Sequence, residues 1–412
     1  MKALLTLLKT DPSQVDALSI EQVVALCGTG KLTDNSETAQ ELRDYLQIAE
    51  SENLFKYLEA CLRAGFDKSG VVLQDIINEL GRRLDYIVEN GLYQGRSNAI
   101  GHDGLWTAPN GHVIVVEVKT TDAYRINLDT ISGYREQLIR SGKIGDDSSV
   151  LLVVGRQDTG DLEAQVRGSK HAWTFRIISA DALAKLVRLK QNAELASVSK
   201  IHDLLVPFEY TRLDKIIEIA FTVAEDATNA VESERADLDH VIVSPDKERD
   251  AVASQDRRPY SPTPAEVVAH IRGRIISALT PKYAPFIKKS RALYWTADKS
   301  VRLAITISKE YEKGGDFWYG YHPDWDRFLK EGSVGLFVLG CVGRDEAFAI
   351  PFEWIHNRLN RLNITEREGG SHYHIQLFPN TRGDLALRLN NGQNENIDQF
   401  AVRLEKVAIS GA

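Results

Sequence analysis

The chain has 412 residues, 43% of them hydrophobic and 26% charged, with a formal net charge of −8. Those values suit a water-soluble globular protein of two or three domains, and no apolar run is long enough to span a bilayer. An acidic total argues against a wide DNA-gripping surface, although phosphate meets local charge and not the total.

The opening MKALLTLLKTD holds a short apolar run ended by Lys9 and Asp11. No small-residue cleavage site follows, so a signal peptide is not expected. Cys27, Cys61 and Cys341 are few, odd in number and far apart. They point to a reducing, cytoplasmic setting and away from a disulfide framework or a zinc site.

Residues 1–70 read as short helices. Ser19 and Gln22 form a capping box ahead of Val23, Val24 and Leu26. Leu42, Tyr45, Leu46 and Ile48 mark a second helix, and Leu54, Tyr57, Leu58, Cys61 and Leu62 a third. Residues 71–89 are predicted as one helix, because Leu73, Ile76, Ile77, Leu80, Leu84, Ile87 and Val88 keep helical spacing and Gly91 can end it. Residues 92–99 lead as a polar loop, with Gln94, Arg96, Ser97 and Asn98, into a strand carrying Asp103.

A turn at Pro109-Asn110-Gly111 then folds a second strand back on the first. Its apolar run Val113–Val116 ends in Glu117-Val118-Lys119. Alternate strand residues share a face, so Glu117 and Lys119 leave the strand on one side. Two carboxylates, Asp103 and Glu117, and one ammonium, Lys119, are thereby expected at one strand end. Carboxylates are hard oxygen ligands suited to Mg2+. A lysine beside them can orient water or neutralise charge developing on phosphorus. Thr120, just past the lysine, either supports it or ends the strand.

A helix is predicted over residues 128–141, with Ile131, Tyr134, Leu138 and Ile139 apolar and Gln137 polar. Buried strands follow at Val150–Val154 and Phe175–Ile178. Ser179 caps a helix through Ala182, Leu183, Leu186 and Val187. Gly168–Trp173 form a turn or a phosphate contact.

The order over residues 71–190 is mixed α/β. With Asp103 and the E-V-K of Glu117–Lys119 it resembles the PD-(D/E)XK nuclease superfamily, the restriction-endonuclease-like fold. The resemblance implies that Asp103 and Glu117 bind Mg2+, with Mn2+ a substitute, and that Lys119 assists the attacking water. It also implies that an acidic residue on the preceding helix, Glu79, reaches the metal. The alternative for Glu79 is an ion pair with Arg82 or Arg83 one turn on. His102 stands where the family usually has proline. The Q-x-x-x-Y variant is not met, because residue 141 is Ser.

Residues 191–224 continue helically through Ile216, Ile217, Ile219, Ala220 and Val223. Residues 225–264, rich in Asp, Glu, Ser and Ala with Pro245, Pro259, Pro262 and Pro264, read as a charged linker. A separate α+β domain is expected over residues 265–412. It opens with a helix, Val267–Leu279. From Val267 to Ala297 there is no acidic residue but six basic ones, Arg272, Arg274, Lys282, Lys288, Lys289 and Arg291. They form either a DNA-contacting face or a solvated one. Residues 292–296, 302–307, 317–321, 335–339, 347–350 and 374–378 read as a twisted antiparallel sheet. Trp295, Trp318, Trp325 and Trp354 fit an aromatic core, or stacking on an exposed base. His372 and His374 have no third ligand close by, so no metal is expected there.

The fold class expected is therefore mixed α/β: a restriction-endonuclease-like core, an N-terminal helical region and a C-terminal α+β domain that selects the target. The expected function is a Mg-dependent DNA endonuclease. Double-strand cleavage calls for a homodimer on double-stranded DNA. A bacterial restriction or anti-phage role is what the resemblance implies. Two other classes fit the same residues: a catalytically idle nucleic-acid-binding protein, and a structural or signalling interaction protein.

Overall fold

A computed structural model describes residues 3–63, 66–94, 100–120, 126–155, 160–192, 201–202, 204–206, 263–311, 316–365, 371–379, 383–390 and 392–405. The expected linker, most of the helical stretch before it and the polar residues 95–99 lie outside these. The chain divides into two units, Met1–Ala220 and Phe221–Ala412.

The first unit begins with five helices: α1 (Ala3–Thr10), α2 (Pro12–Asp16), α3 (Ile20–Leu26), α4 (Glu37–Ile48) and α5 (Ser51–Arg63). The capping box forms on α3, with Gln22 N–H donating to Ser19 Oγ and Ser19 N–H to Gln22 Oε1. These helices are not a region apart. Leu4, Leu42, Leu54 and Leu58 share one core with Leu73, Ile76, Ile77 and Leu80 of α6 (Ser69–Arg83).

The helix α6 stops six residues short of the predicted end. Asp85 adopts φ 67, a left-handed conformation that aspartate tolerates. Lys190 Nζ donates to Arg83 O (2.9 Å) and Asp85 Oδ1 (3.0 Å), capping the helix end from far along the chain. Ile87–Asn90 instead becomes a strand, β1, antiparallel to β2 (Gly104–Thr107). Gly91, expected to end a helix, permits close strand approach. A Cβ there would stand 1.9 Å from His102 O.

β2 pairs antiparallel with β3 (Val113–Lys119) through the expected turn, where Gly111 N–H donates to Ala108 O (2.9 Å). The helix α7 (Leu128–Arg140) crosses to β4 (Ser149–Val154), parallel to β3. A helix not foreseen, α8 (Gly160–Arg167), leads to β5 (Phe175–Ser179), parallel to β4. The helix α9 (Ala180–Asn192) follows, with Ala182 N–H donating to Ser179 Oγ (3.1 Å).

The sheet order is β1-β2-β3-β4-β5. Strand alternation assigns its two faces. Trp106, Ile114, Val116, Leu151 and Val153 pack with α6 and α9. Leu105, Val115, Val150, Leu152 and Phe175 pack with Leu128, Ile131 and Leu138 of α7 and Leu162 of α8.

In the second unit α10 (Ala265–Leu279) covers one face of a six-stranded sheet. Its order is β17-β12-β11-β8-β7-β6. The strands are β6 (Phe286–Lys288), β7 (Leu293–Thr296), β8 (Val301–Ser308), β11 (Val334–Cys341), β12 (Glu346–Pro351) and β17 (Ala401–Arg403). The expectation of one antiparallel sheet is corrected here, because β8 and β11 run parallel. Between them the chain leaves for β9 (Glu310–Tyr311) and β10 (Asp316–Tyr321), then returns through α11 (Pro323–Lys330). After β12 come α12 (Phe352–His356), β13 (Ile364–Thr365), β14 (His372–Pro379), β15 (Leu385–Arg388) and β16 (Asn394–Asn396). The second sheet has the order β16-β15-β14-β10-β9, with β13 on β14. Tyr319 and Tyr321 bury one face of β10 against β11: Tyr319 OH donates to Gly340 O, and the Tyr321 ring meets Phe337 edge-on at 4.9 Å.

Among the described residues no helix is long and apolar enough to cross a membrane.

Candidate functional site

The polar end of β3 gathers the three side chains singled out above. Gly104 pairs with Val116, which sets Asp103 beside Glu117 at the end of the ladder. Asp103 N–H donates to Val116 O (3.0 Å), and Val118 N–H donates to Asp103 Oδ2 (2.6 Å). Lys119 Nζ lies 2.5 Å from Glu117 Oε1. Glu117 is 9% exposed, while the Lys119 side chain keeps 36% of its surface open to solvent. The cluster therefore runs from a buried carboxylate to a solvent-reaching ammonium.

Electrostatics bind the three together. Burial, then the charge of Glu117, pushes the Asp103 carboxyl up to about 7, against the pull of Val118 N–H and Lys119. Burial opposes the charge on Lys119, but Glu117, by charge and hydrogen bond, and then Asp103 hold its pKa above the usual value. Lys119 is thus an ammonium at neutral pH, a donor rather than a base.

Two polar residues on the buried stripe of α6 brace this arrangement. Asn78 Nδ2 (2.8 Å) and Gln74 Nε2 (3.1 Å) both donate to Asp103 O. Asn78 Oδ1 accepts from the Trp106 indole at 2.9 Å. Their only sequence signal is being polar where the period demands apolar. On α7 Gln137 is exposed, and Tyr134 is half-buried. A Cβ at Gly101 would stand 2.8 Å from Tyr134 Cζ, and Tyr134 acts electrostatically on Lys119.

Glu79 stands apart from this cluster. It is 2% exposed, and its carboxylate accepts from Arg83 Nε (2.8 Å) and Arg82 Nη1 (3.4 Å). Its helix covers the sheet face of Ile114 and Val116, whereas Glu117 follows Val115 onto the other. The pairing with arginine one turn on is the alternative that holds, in a buried rather than an exposed setting.

The six basic residues between Val267 and Ala297 have different surroundings. Arg274 Nη2 pairs with Asp345 (2.9 Å) and donates to Leu404 O, tying α10 to the chain after β17. Lys282 lies over Tyr283, and Lys289 over Trp295 at 4.3 Å. Arg272, Lys288 and Arg291 act on one another's charge. Of the tryptophans, Trp325 packs against Tyr321 and Phe337, as expected of a core residue. Trp354 lies under Arg358 at 3.7 Å. His374 Nε2 meets Thr365 Oγ1 at 2.6 Å.

Set against known proteins, the chain matches no family model and no curated protein.

The state of Asp103 has a measurable consequence. Its folded pKa is raised, so its contribution to stability is full below the unfolded value near 3.8 and is lost as pH rises through about 7. Without added metal, that loss is on the order of 1–3 kcal/mol after allowance for solvent screening. A divalent cation offsets the repulsion only when both carboxylates are ionised. Mg2+ is therefore expected to raise Tm more at pH 8 than at pH 5, and Asp103→Asn to remove the difference. Scanning fluorimetry measures this; equal shifts at both pH values would uncouple Asp103 from the cation.

Proposed function

We propose that the Met1–Ala220 unit is a Mg-dependent nuclease centre of the PD-(D/E)XK kind that hydrolyses phosphodiester bonds of double-stranded DNA. The observation that carries this reading is the meeting of Asp103, Glu117 and Lys119 at one strand end, with Asp103 raised to about 7 by burial and Glu117. The sheet order supports it: two antiparallel steps, then two parallel ones, with α7 crossing after the E-V-K strand.

The residues suit the cation. Among the described residues no group of three or more His, Cys, Asp or Glu is arranged to hold a metal. Mg2+ does not require one, since it binds through one or two carboxylates and keeps waters and phosphate oxygens in its shell. Asp103 and Glu117 would hold it. When bound, such a cation polarises a phosphoryl oxygen and acidifies water. Val118 N–H fixes the orientation of the Asp103 carboxylate. Lys119 donates to the attacking water or to a phosphoryl oxygen and offsets the charge that builds there. Cutting both strands with one centre per chain calls for two copies, and a restriction or anti-phage role is consistent with such an enzyme.

The test uses the whole chain on plasmid and linear duplex, with Mg2+ or with EDTA. Wild type is expected to cut only with Mg2+. Asp103→Asn and Glu117→Gln are each expected to slow cutting by about 10²-fold or more. A Glu117→Gln protein as fast as wild type would sink the proposal.

A further inference from the structure

We infer that Asn78, together with Gln74, is a positioning residue for the cation: from α6 it holds the Asp103 main chain so that the carboxylate presents Oδ1. The inference rests on the nuclease reading only for the expectation that a divalent cation is what Oδ1 takes.

The bonds of Asp103 leave one oxygen over. Its N–H donates to Val116 O (3.0 Å), and its Oδ2 accepts from Val118 N–H (2.6 Å). Its main-chain oxygen accepts from Asn78 Nδ2 (2.8 Å), Gln74 Nε2 (3.1 Å) and Gly91 N–H (3.0 Å). Oδ1 alone takes no hydrogen bond among the described residues.

The two amides are more than sheet pairing needs. A strand carbonyl is satisfied by its ladder neighbour, here Gly91 on the β1 side. Burying an amide is costly, yet Asn78 is 1% exposed and Gln74 5%. They lie one turn apart on α6, so they leave that helix on one face.

Asn78 is fixed at both ends. Its Oδ1 accepts from the Trp106 indole at 2.9 Å while its Nδ2 donates to Asp103 O. Turned over, the amide would set its NH2 against the indole N–H and its oxygen against a carbonyl, so one orientation satisfies both. A Cβ at Gly104 would stand 2.1 Å from Asn78 Oδ1, so glycine is what lets the amide lie this close to β2. The amide thus ties α6 to the residue that carries the carboxylate. Bonds of this kind, one shell out from a metal, orient its ligands, and losing one typically costs about 10–100-fold in metal affinity or activity.

The experiment measures Mn2+ binding to the whole chain without DNA, by electron paramagnetic resonance at pH 8, above the value of about 7 for Asp103. Wild type is compared with Asn78→Ala, Asn78→Asp, Gln74→Leu and Leu80→Ala. Leu80 is buried in the apolar core on the same helix and makes none of these bonds. Asn78→Ala is expected to lower Mn2+ affinity about tenfold or more. Asn78→Asp keeps an acceptor for Trp106 but sets an oxygen against Asp103 O, and should fall at least as far. Gln74→Leu gives up the longer bond and should fall less; it carries the test if Asn78→Ala does not fold. Leu80→Ala is expected to lose Tm and keep wild-type Mn2+ affinity. Unchanged affinity in Asn78→Ala and Gln74→Leu, or an equal loss in Leu80→Ala, would make the amides packing only and overturn the inference. So would Mn2+ binding that is indifferent to Asp103→Asn. Cleavage is scored separately. A chain whose Mn2+ affinity follows Asn78 but which cuts no duplex would refute the nuclease reading and leave this inference standing. One that cuts while Asn78→Ala binds Mn2+ like wild type would do the reverse.

Discussion

Lys119→Ala is expected to lower Mg-dependent cleavage by at least ~10²-fold while leaving duplex affinity in EDTA unchanged. The expectation follows from the state of the side chain. Its ammonium is 2.5 Å from Glu117 Oε1 and held charged by Glu117 and Asp103 in spite of burial. A cation so placed contributes most when negative charge builds on phosphorus, so its loss lowers kcat more than it raises KM. Arginine at this position would keep the charge but spread it over a planar fork, and partial recovery is expected. Since Lys119 offsets part of the Glu117 charge, the alanine variant should also need Mg2+ more for stability. Cleavage by Lys119→Ala at the wild-type rate, with Mg2+ saturating, would remove the catalytic assignment.

The second large effect is on stability. Glu79→Ala is expected to cost about 3–5 kcal/mol, because it strands a buried guanidinium. Arg83 is 4% exposed and gives Nε to Glu79. Its Nη2 donates to Leu46 O, Gln47 O and Ala49 O, and its Nη1 to Ser51 Oγ. The ion pair therefore joins α6 to the α4–α5 connection. Burial pushes the Glu79 carboxyl upward against the pull of Arg83 and then Arg82, so both partners depend on each other. The fall in Tm should be roughly 10 °C for a unit of this size. At a temperature where the variant remains folded, its Mg-dependent cleavage should match wild type. Lost cleavage in a Glu79→Gln protein of unchanged Tm would instead bring Glu79 into the reaction.

Local pattern carried much of the candidate site. A period of two puts Glu117 and Lys119 on one face whatever else the chain does, and Pro109-Asn110-Gly111 turns β2 onto β3 without outside help. The Ser19 capping box, α7 and the buried strand β4 follow from neighbours a few residues away. Each is governed by interactions that begin and end within one element.

Tertiary structure decided the remainder. Where α6 stops and the chain turns toward β1 involves Lys190, which bonds Arg83 O and Asp85 Oδ1 from 107 and 105 residues away along the chain. Whether Glu79 meets a metal or an arginine turns on which sheet face α6 covers. That Lys288 feels the charge of Arg272 turns on the β6–β7 register and on the packing of α10 against β7. Periodicity states which side of an element is apolar; only packing states what that side meets, because the partner's charge and distance come from chain far away in sequence.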